Sequence, residues 1–492
     1  MMHEHEKSDF AIVAGKPTNK TGKPAAESVE RRAKTEGNTG QQNTRRAQDR
    51  ESVSHALDRV RNAVRQRKQG RFTSLLHHVT PQALRTAFYA LKRDAAPGVD
   101  GVTWRDYEAN LDHMVEDLHR RVHSGAYRAL PARRRYIPKA DGRQRPLAIA
   151  ALEDKIVQRA TVTVLNEIYE EDFLGFSYGF RPGRGQHDAL DALAVGIDRR
   201  KVNFILDADI RAFFDQVNQD WLIRFVEHRI GDHRIVRLVQ KWLKAGVLEN
   251  GVVLTSEQGT GQGSVISPLL ANIYLHYVFD LWANRWRRRE ARGDMIIVRY
   301  ADDIIVGFEL ESDARRFQTD MRRRLEEFSL SLHPEKTRLI EFGRQVADKR
   351  SQRGQKRPET FNFLGFTFIC GKTRKGKFLL HRKSRRDRMI ARLKEVKAEL
   401  KKRRHQPVLE QGKWLRLVIG GYFAYHAVPT NTRALQAFRN AIVLQWRQTL
   451  RRRGQRDRTT VEKMAKLAAI WLPTPKILHP WPERRFFVRH PR

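Results

Sequence analysis

Two apolar segments of this chain carry carboxylates where carboxylates are costly. FILDADIRAFFDQV holds Asp207, Asp209 and Asp215, and IIVRYADDIIVGF holds the adjacent pair Asp302 and Asp303. A carboxylate taken into a core without a partner is strongly unfavourable, and two side by side also repel, so a cation must balance them if these strands are buried. Oxygen-only ligands suit Mg2+, a hard ion usually held by one or two carboxylates plus substrate phosphates. Two such ions about 4 Å apart can activate an attacking 3′-hydroxyl and stabilise a departing pyrophosphate. An ADD turn alone is an ordinary solvated hairpin tip. The second acid-bearing strand turns the pair into a candidate for nucleotide addition.

The surrounding pattern supplies elements to position these acids. Strands are expected at Phe204 to Ile210 and at Met295 to Phe308, with helices and the segment GTGQGSVISPLLANIYL between them. From about Arg133, RRRYIP, the turn ADGR and PLAIA read as a β-hairpin with basic edges. EDKIVQRATVTVLNEIYEEDF is helical, and GFRPGRG is a glycine-rich, arginine-bearing loop leading into the helix QHDALDALAVGI. Upstream, helical periodicity starts near Ser54, continues through PQALRTAFYALK and closes at the PGVDG turn, Pro97 to Gly101. Residues 1 to about 50 have a single aromatic, Phe10, among many polar residues, and are expected to be disordered. The whole predicts an α+β fold.

Charge names the partner class. The 492 residues include 95 Lys plus Arg against 56 Asp plus Glu, a formal charge of +39, and cations in that excess act mainly on polyanions. The final 122 residues, from Gly371, concentrate it, with 33 basic and 7 acidic residues on helical segments interleaved with Trp414, Tyr422, Phe423, Tyr425 and Trp446. That interleaving suggests a nucleic-acid cradle, although a basic protein without catalysis would share the composition. One cysteine, Cys370, excludes an internal disulfide and any zinc site built on paired cysteines. No apolar run approaches the ~18 residues of a membrane span, and MMHEHEKSDF is no signal peptide, so a cytoplasmic protein without membrane partners is expected.

In order and spacing, DIRAFFD, GTGQGSVISPLLANIYL, RYADD, LSLHPEKT and FNFLGF resemble the palm motifs of reverse transcriptases. RRYIPKADGRQRPLAIAALEDKIVQ and GFRPGRG resemble fingers motifs, LLHHVTPQALRTAFYALKRDAAPGVDG an N-terminal extension, and LRLVIGGYFAYHAV with ILHPWPERRF a thumb or maturase region. The chain thus resembles a group II intron reverse transcriptase/maturase over about residues 70 to 492. The resemblance implies a right-hand polymerase: a helical extension at 51–124, fingers and palm at 125–370, and a basic helical thumb, or X, domain at 371–492.

It also implies roles. Asp209, Asp302 and Asp303 would be the catalytic metal ligands for two Mg2+ ions, with Asp207 and Asp215 structural. Phe214 would be the steric gate that rejects a 2′-hydroxyl, and Gln262 would contact the incoming nucleotide; the family usually has proline where Gly261 stands. Lys139 and Arg145, flanking the hairpin turn, would hold the triphosphate, a flat guanidinium suiting bidentate phosphate contact. Lys336 would be the general acid for pyrophosphate. The implied function is RNA-directed DNA synthesis on intron RNA, using deoxynucleoside triphosphates, a primer and a DNA target, together with intron RNA binding that assists splicing and retromobility. A non-enzymatic splicing factor that keeps the fold, or a retron-like reverse transcriptase, are the alternatives, and the intact YADD argues against the first. No C-terminal nuclease is expected after HPWPERRFFVRHPR, which implies dependence on a primer already present.

Overall fold

A computed structural model describes residues 39–489 apart from 68–69, 139–143, 250, 257, 262 and 455–458. Helix Thr39–Gln66 opens the described chain, so helical structure starts before the expected boundary near residue 50. The reason is a charge pair that composition does not reveal: Asp49 is buried against Arg85, 2.9 Å away on the helix Pro81–Tyr89. Thr80 caps that second helix by accepting from the Ala83 backbone N–H, with Pro81 in the first turn, where its missing N–H costs nothing. Thr103 and Asp106 form a reciprocal capping box at Trp104–Ala109. Helices Thr39–Gln66 and Pro81–Tyr89 both pack on the long helix Leu152–Asp172, burying Leu84, Phe88, Ile156 and Leu165 in one core.

The strands are β1 (Ala132–Pro138), β2 (Gln144–Ile149), β3 (Phe204–Asp209), β4 (Val247–Glu249), β5 (Val252–Leu254), β6 (Met295–Tyr300), β7 (Asp303–Phe308), β8 (Arg338–Glu341), β9 (Phe361–Phe363), β10 (Phe366–Lys372) and β11 (Phe378–Ser384). β1 and β2 form the expected antiparallel hairpin, Pro138 opposite Gln144, and β4 joins β1 in parallel. The central sheet has the order β6-β7-β3-β8 with every pair antiparallel. Alternation splits its side chains between two cores. Leu206, Ala208, Ile297, Ile304 and Val306 face helices Ser267–Leu275, Leu281–Arg289 and Glu311–Glu326. Ile205, Val298 and Ile305 face helix Gln186–Arg199 and the sheet β11-β10-β9. Asp207, Asp209 and Asp303 have the parity of the second set.

Helices Arg386–Lys402, Val408–His426, Thr432–Arg451 and Val461–Trp471 form a separate bundle around Leu415, Ile419, Phe438, Ile442 and Trp446. Here the cradle reading of the aromatics needs correction. Trp446 is fully buried with its indole N–H on Gln411, Phe423 is core, and Tyr422 stacks on Phe438 with ring centroids 3.7 Å apart. These rings hold helices together, and the basic residues between them occupy the outer faces. The last helix, Pro482–Arg489, returns to helix Gln186–Arg199, where Arg485 and Arg382 both meet the buried Asp191, at 3.3 and 2.6 Å. Among the described residues no helix is long and apolar enough to cross a membrane.

Candidate active site

The adjacent ends of β3 and β7 bring the sequence-derived acids together. Asp209, the last residue of β3, lies directly opposite Asp303, the first of β7. Asp302 sits beside them in the two-residue turn that joins Tyr300 to Asp303. The first turn residue, Ala301, has φ +55°, a conformation that suits hairpin twist but strains a residue with a Cβ. The GFRPGRG loop presses on this turn from behind: Gly179 lies so close that any side chain there would collide with the Ala301 backbone nitrogen.

The electrostatics are those of a carboxylate cluster in which burial and mutual repulsion outweigh the pull of Arg145, Lys336, Arg338, Arg385 and Arg388. Burial, then Asp302, then Asp209 push the Asp303 carboxyl up to about 6. Its side chain reaches solvent at the open end of the sheet, with protein packed around the remaining sides of the carboxyl. Asp302 is raised first by burial and then by Asp209, with Arg145 pulling the other way, so Arg145 of β2 lies within electrostatic reach of the cluster. Asp207 is pushed up to about 7, mainly by burial and then by Asp303. Lys336 is the cation that has arrived: its Nζ stands 2.8 Å from Asp209 Oδ2. The HPEKT segment delivers it by wrapping the end of β3, the His333 N–H donating to the Asp209 carbonyl at 2.7 Å.

As the side chains stand, no three His, Cys, Asp or Glu among the described residues are close enough together to hold a metal ion, and Asp209 is turned to Lys336. The donor set nevertheless fits a hard divalent cation. It is oxygen-only, and positive charge would relieve the repulsion that lifts Asp302 and Asp303.

Phe214 lies on the short helix Phe213–Gln216, five residues beyond Asp209, and forms one wall of a cavity of about 280 Å3. Ala148, Asp154, Gln219, Thr260 and Gly261 also line it. The Thr260 N–H donates to the Phe214 carbonyl at 2.8 Å, which stitches the GTGQG loop to the Phe214 segment. Gly263, at φ +108°, brings the same loop against the Ala148 carbonyl of β2, where a Cβ would lie at 2.8 Å. Thr260 is 4% exposed and its hydroxyl has no partner among the described residues, so it can bond whatever enters. Lys139 and Gln262, expected at the triphosphate and the incoming nucleotide, lie outside the described residues. Asp215 is exposed and stands apart from the carboxylate cluster.

The family described as reverse transcriptase (RNA-dependent DNA polymerase) matches residues 137–368, the span that contains every one of these elements. Protein YkfC of Escherichia coli is 35% identical over 302 residues, covering 53% of this chain and 78% of that protein. The group II intron-encoded protein LtrA of Lactococcus lactis is 33% identical over 207 residues, 42% of this chain but only 34% of LtrA. This chain belongs to the group II intron reverse transcriptase/maturase family. A nuclear intron maturase of Arabidopsis thaliana is 25% identical over 199 residues, 36% of this chain and 27% of that protein. The chain thus spans only about a third of LtrA and about a quarter of the Arabidopsis maturase.

The reverse transcriptase also contains a group that reading the acids missed. Arg299, immediately before Tyr300, is completely buried and ion-paired with Asp280, which is completely buried too. Its signal was visible as an arginine in the otherwise apolar run IIVRYADDIIVGF.

Proposed function

We propose that this reverse transcriptase copies intron RNA into DNA by two-metal nucleotidyl transfer at Asp209, Asp302 and Asp303. The observation that carries the reading is the meeting of three carboxylates at one sheet end in a state of mutual repulsion. In this reading the sheet β2-β1-β4-β5 belongs to the fingers, the sheet β6-β7-β3-β8 to the palm and the C-terminal bundle to the thumb. When bound, two Mg2+ ions would lower the pKa of the primer 3′-hydroxyl and neutralise charge on the departing pyrophosphate. The protein's own groups do the rest. Asp209 and Asp303, fixed by direct cross-strand pairing, hold the ligand oxygens in register. Lys336, held beside Asp209, would serve as the proton donor to pyrophosphate. Arg145, with Lys139, steadies the triphosphate, while Gln262 contacts the nucleotide. Phe214 lies under the sugar and excludes a 2′-hydroxyl. The +39 charge supports binding of the intron RNA, which assists splicing and retromobility at a DNA target.

Asp302→Ala or Asp209→Ala should reduce Mg2+-dependent primer extension by on the order of 1,000-fold while RNA affinity persists, since a large electrostatic stabilisation of the transition state is removed. Near-wild-type extension by either purified variant refutes the assignment. Phe214→Ala should relax selection of dNTP over rNTP by roughly 10- to 100-fold, because a pocket rejects one extra group only through close fit. Incorporation ratios measured on an RNA template check this.

A further inference from the structure

We propose that Arg299 is a positioning residue for the metal-ligand turn, fixing Asp302 and Asp303 from the opposite face of the sheet; this rests on the reading of those carboxylates as ligands. Arg299 has the parity of Ile297 and points into the core on the helix side, whereas Asp209 and Asp303 have the opposite parity. Its Nε donates to Asp280 Oδ1 at 2.7 Å and its Nη2 to Asp280 Oδ2 at 2.6 Å, a bidentate pair. Nη2 also donates to the Ser177 hydroxyl at 2.7 Å, and Nη1 to Asn272 Oδ1 and to the Ala301 carbonyl, both at 3.0 Å. These five contacts use the full donor capacity of a guanidinium.

The four partners lie on one continuous helical run from Ser267 to Arg289, on the strip beside β6 and on the turn itself. Asp280 ends the π-helical turn His276–Asp280, whose wide ring departs from the helical register on either side. Asn272, on helix Ser267–Leu275, uses its amide to donate to the Gly179 carbonyl at 2.7 Å, so it joins Arg299 to the glycine that abuts the turn. Ser177 lies on the strip that pairs with Arg299 itself, the Arg299 N–H donating to Phe176 at 2.9 Å and the Tyr178 N–H to Arg299 at 2.9 Å.

A buried ion pair is poor support for stability alone, because apolar replacement of both partners is often neutral or better. What a forked, planar cation supplies is direction. One arm holds the carbonyl of Ala301, the residue before Asp302, and Ala301 keeps a positive φ that persists only where its surroundings over-determine it. The guanidinium is therefore the clamp that sets where the two ligands emerge. Lysine, a point charge, cannot span Asp280 and the turn together.

The test uses the full-length protein in primer extension, with Mg2+ and dNTP titrated separately and melting temperature measured on the same samples. Arg299→Lys should lower kcat by about 100-fold, as a misplacement near 1 Å does, with dNTP KM little changed and the Mg2+ midpoint raised. The double replacement Arg299→Met with Asp280→Leu leaves no buried charge unpaired, so it should melt near wild type while kcat and the Mg2+ midpoint stay impaired. A purely structural role would return kcat along with melting temperature. A double variant with wild-type melting, kcat and Mg2+ midpoint overturns the proposal, and if it does not fold, wild-type values for Arg299→Lys do so. Asp302→Ala assayed in parallel separates the two failures: if it still extends primers the ligand reading falls, whereas if it is inactive and the Arg299 variants are normal only the positioning proposal falls.

Discussion

The front and back of one hairpin treat charge in opposite ways. Behind the turn, Asp280 and Arg299 are both fully buried, and each oxygen of the carboxylate meets its own N–H of the guanidinium. In front, Asp207, Asp302 and Asp303 are all raised from the usual aspartate value, although Arg145, Arg338, Arg385 and Arg388 act on them through space, and Lys336 contacts Asp209 directly. The strands and the turn are shared, so the difference lies in what the chain supplies as counter-charge. A fully paired charge fixes geometry. A carboxylate cluster left short of cation is stored affinity for one, and its cost is tolerated only where an ion will come.

Removing one charge from each side breaks this comparison most sharply. Asp280→Ala strands Arg299 in a core and should destabilise the protein by about 3–5 kcal/mol, the usual cost of an unpaired buried charge. Asp303→Asn, on the front, should leave the metal-free protein at neutral pH as stable as wild type or more so, although activity is lost. Denaturant unfolding of both variants without Mg2+ checks the pair. Comparable losses on both sides would show that the front cluster is balanced after all.

How much of this was legible follows the same division. The acids stood out because Asp207, Asp209, Asp302 and Asp303 interrupt apolar runs, and local pattern also marked β1, β2, β3, β6, β7 and the GFRPGRG loop. Arg299 interrupts the same run, yet nothing local names its partner. Asp280 lies 19 residues upstream and reaches it only through a π-helical turn, a slip of helical register that hydrophobic periodicity does not encode. The early start at Thr39 was hidden for the same reason, since the Asp49–Arg85 pair joins two helices across 36 residues. The bundle aromatics misled because one ring interleaved with arginines looks the same in sequence whether it faces RNA or a neighbouring helix. Tertiary packing decided for the helix.

Lys336 sharpens the comparison with a smaller effect. It is the cation in direct contact with Asp209, so Lys336→Ala should deepen the repulsion in the metal-free protein and, once metal is bound, remove a proton donor. Loss of general acid help is worth at least about 100-fold in rate. Single-turnover extension across pH should show kcat reduced and its alkaline limb flattened, with dNTP KM nearly constant. A uniform fall in affinity with an unchanged pH profile would make Lys336 a simple phosphate contact.

The smallest effect is the most diagnostic of missing charge. Asp303 holds its proton up to about 6, and Asp302 is raised in the same direction, whereas unfolded aspartates ionise near 3.8. Between those values the folded chain binds more protons than the unfolded one, so these groups make stability fall as pH rises through about 6. Other titrating residues are common to wild type and Asp303→Asn, and the difference between the two isolates the front cluster. That difference should grow in favour of Asp303→Asn from about pH 4 to 6 and then level off. Mg2+ competes with the same protons, so its addition should erase the trend, and the Mg2+ midpoint for primer extension should drop as pH rises through about 6. A difference that shrinks with pH, or a Mg2+ midpoint that ignores pH, would mean that Asp303 is already ionised and balanced, and the contrast between the two faces of the hairpin would fail at its most sensitive point.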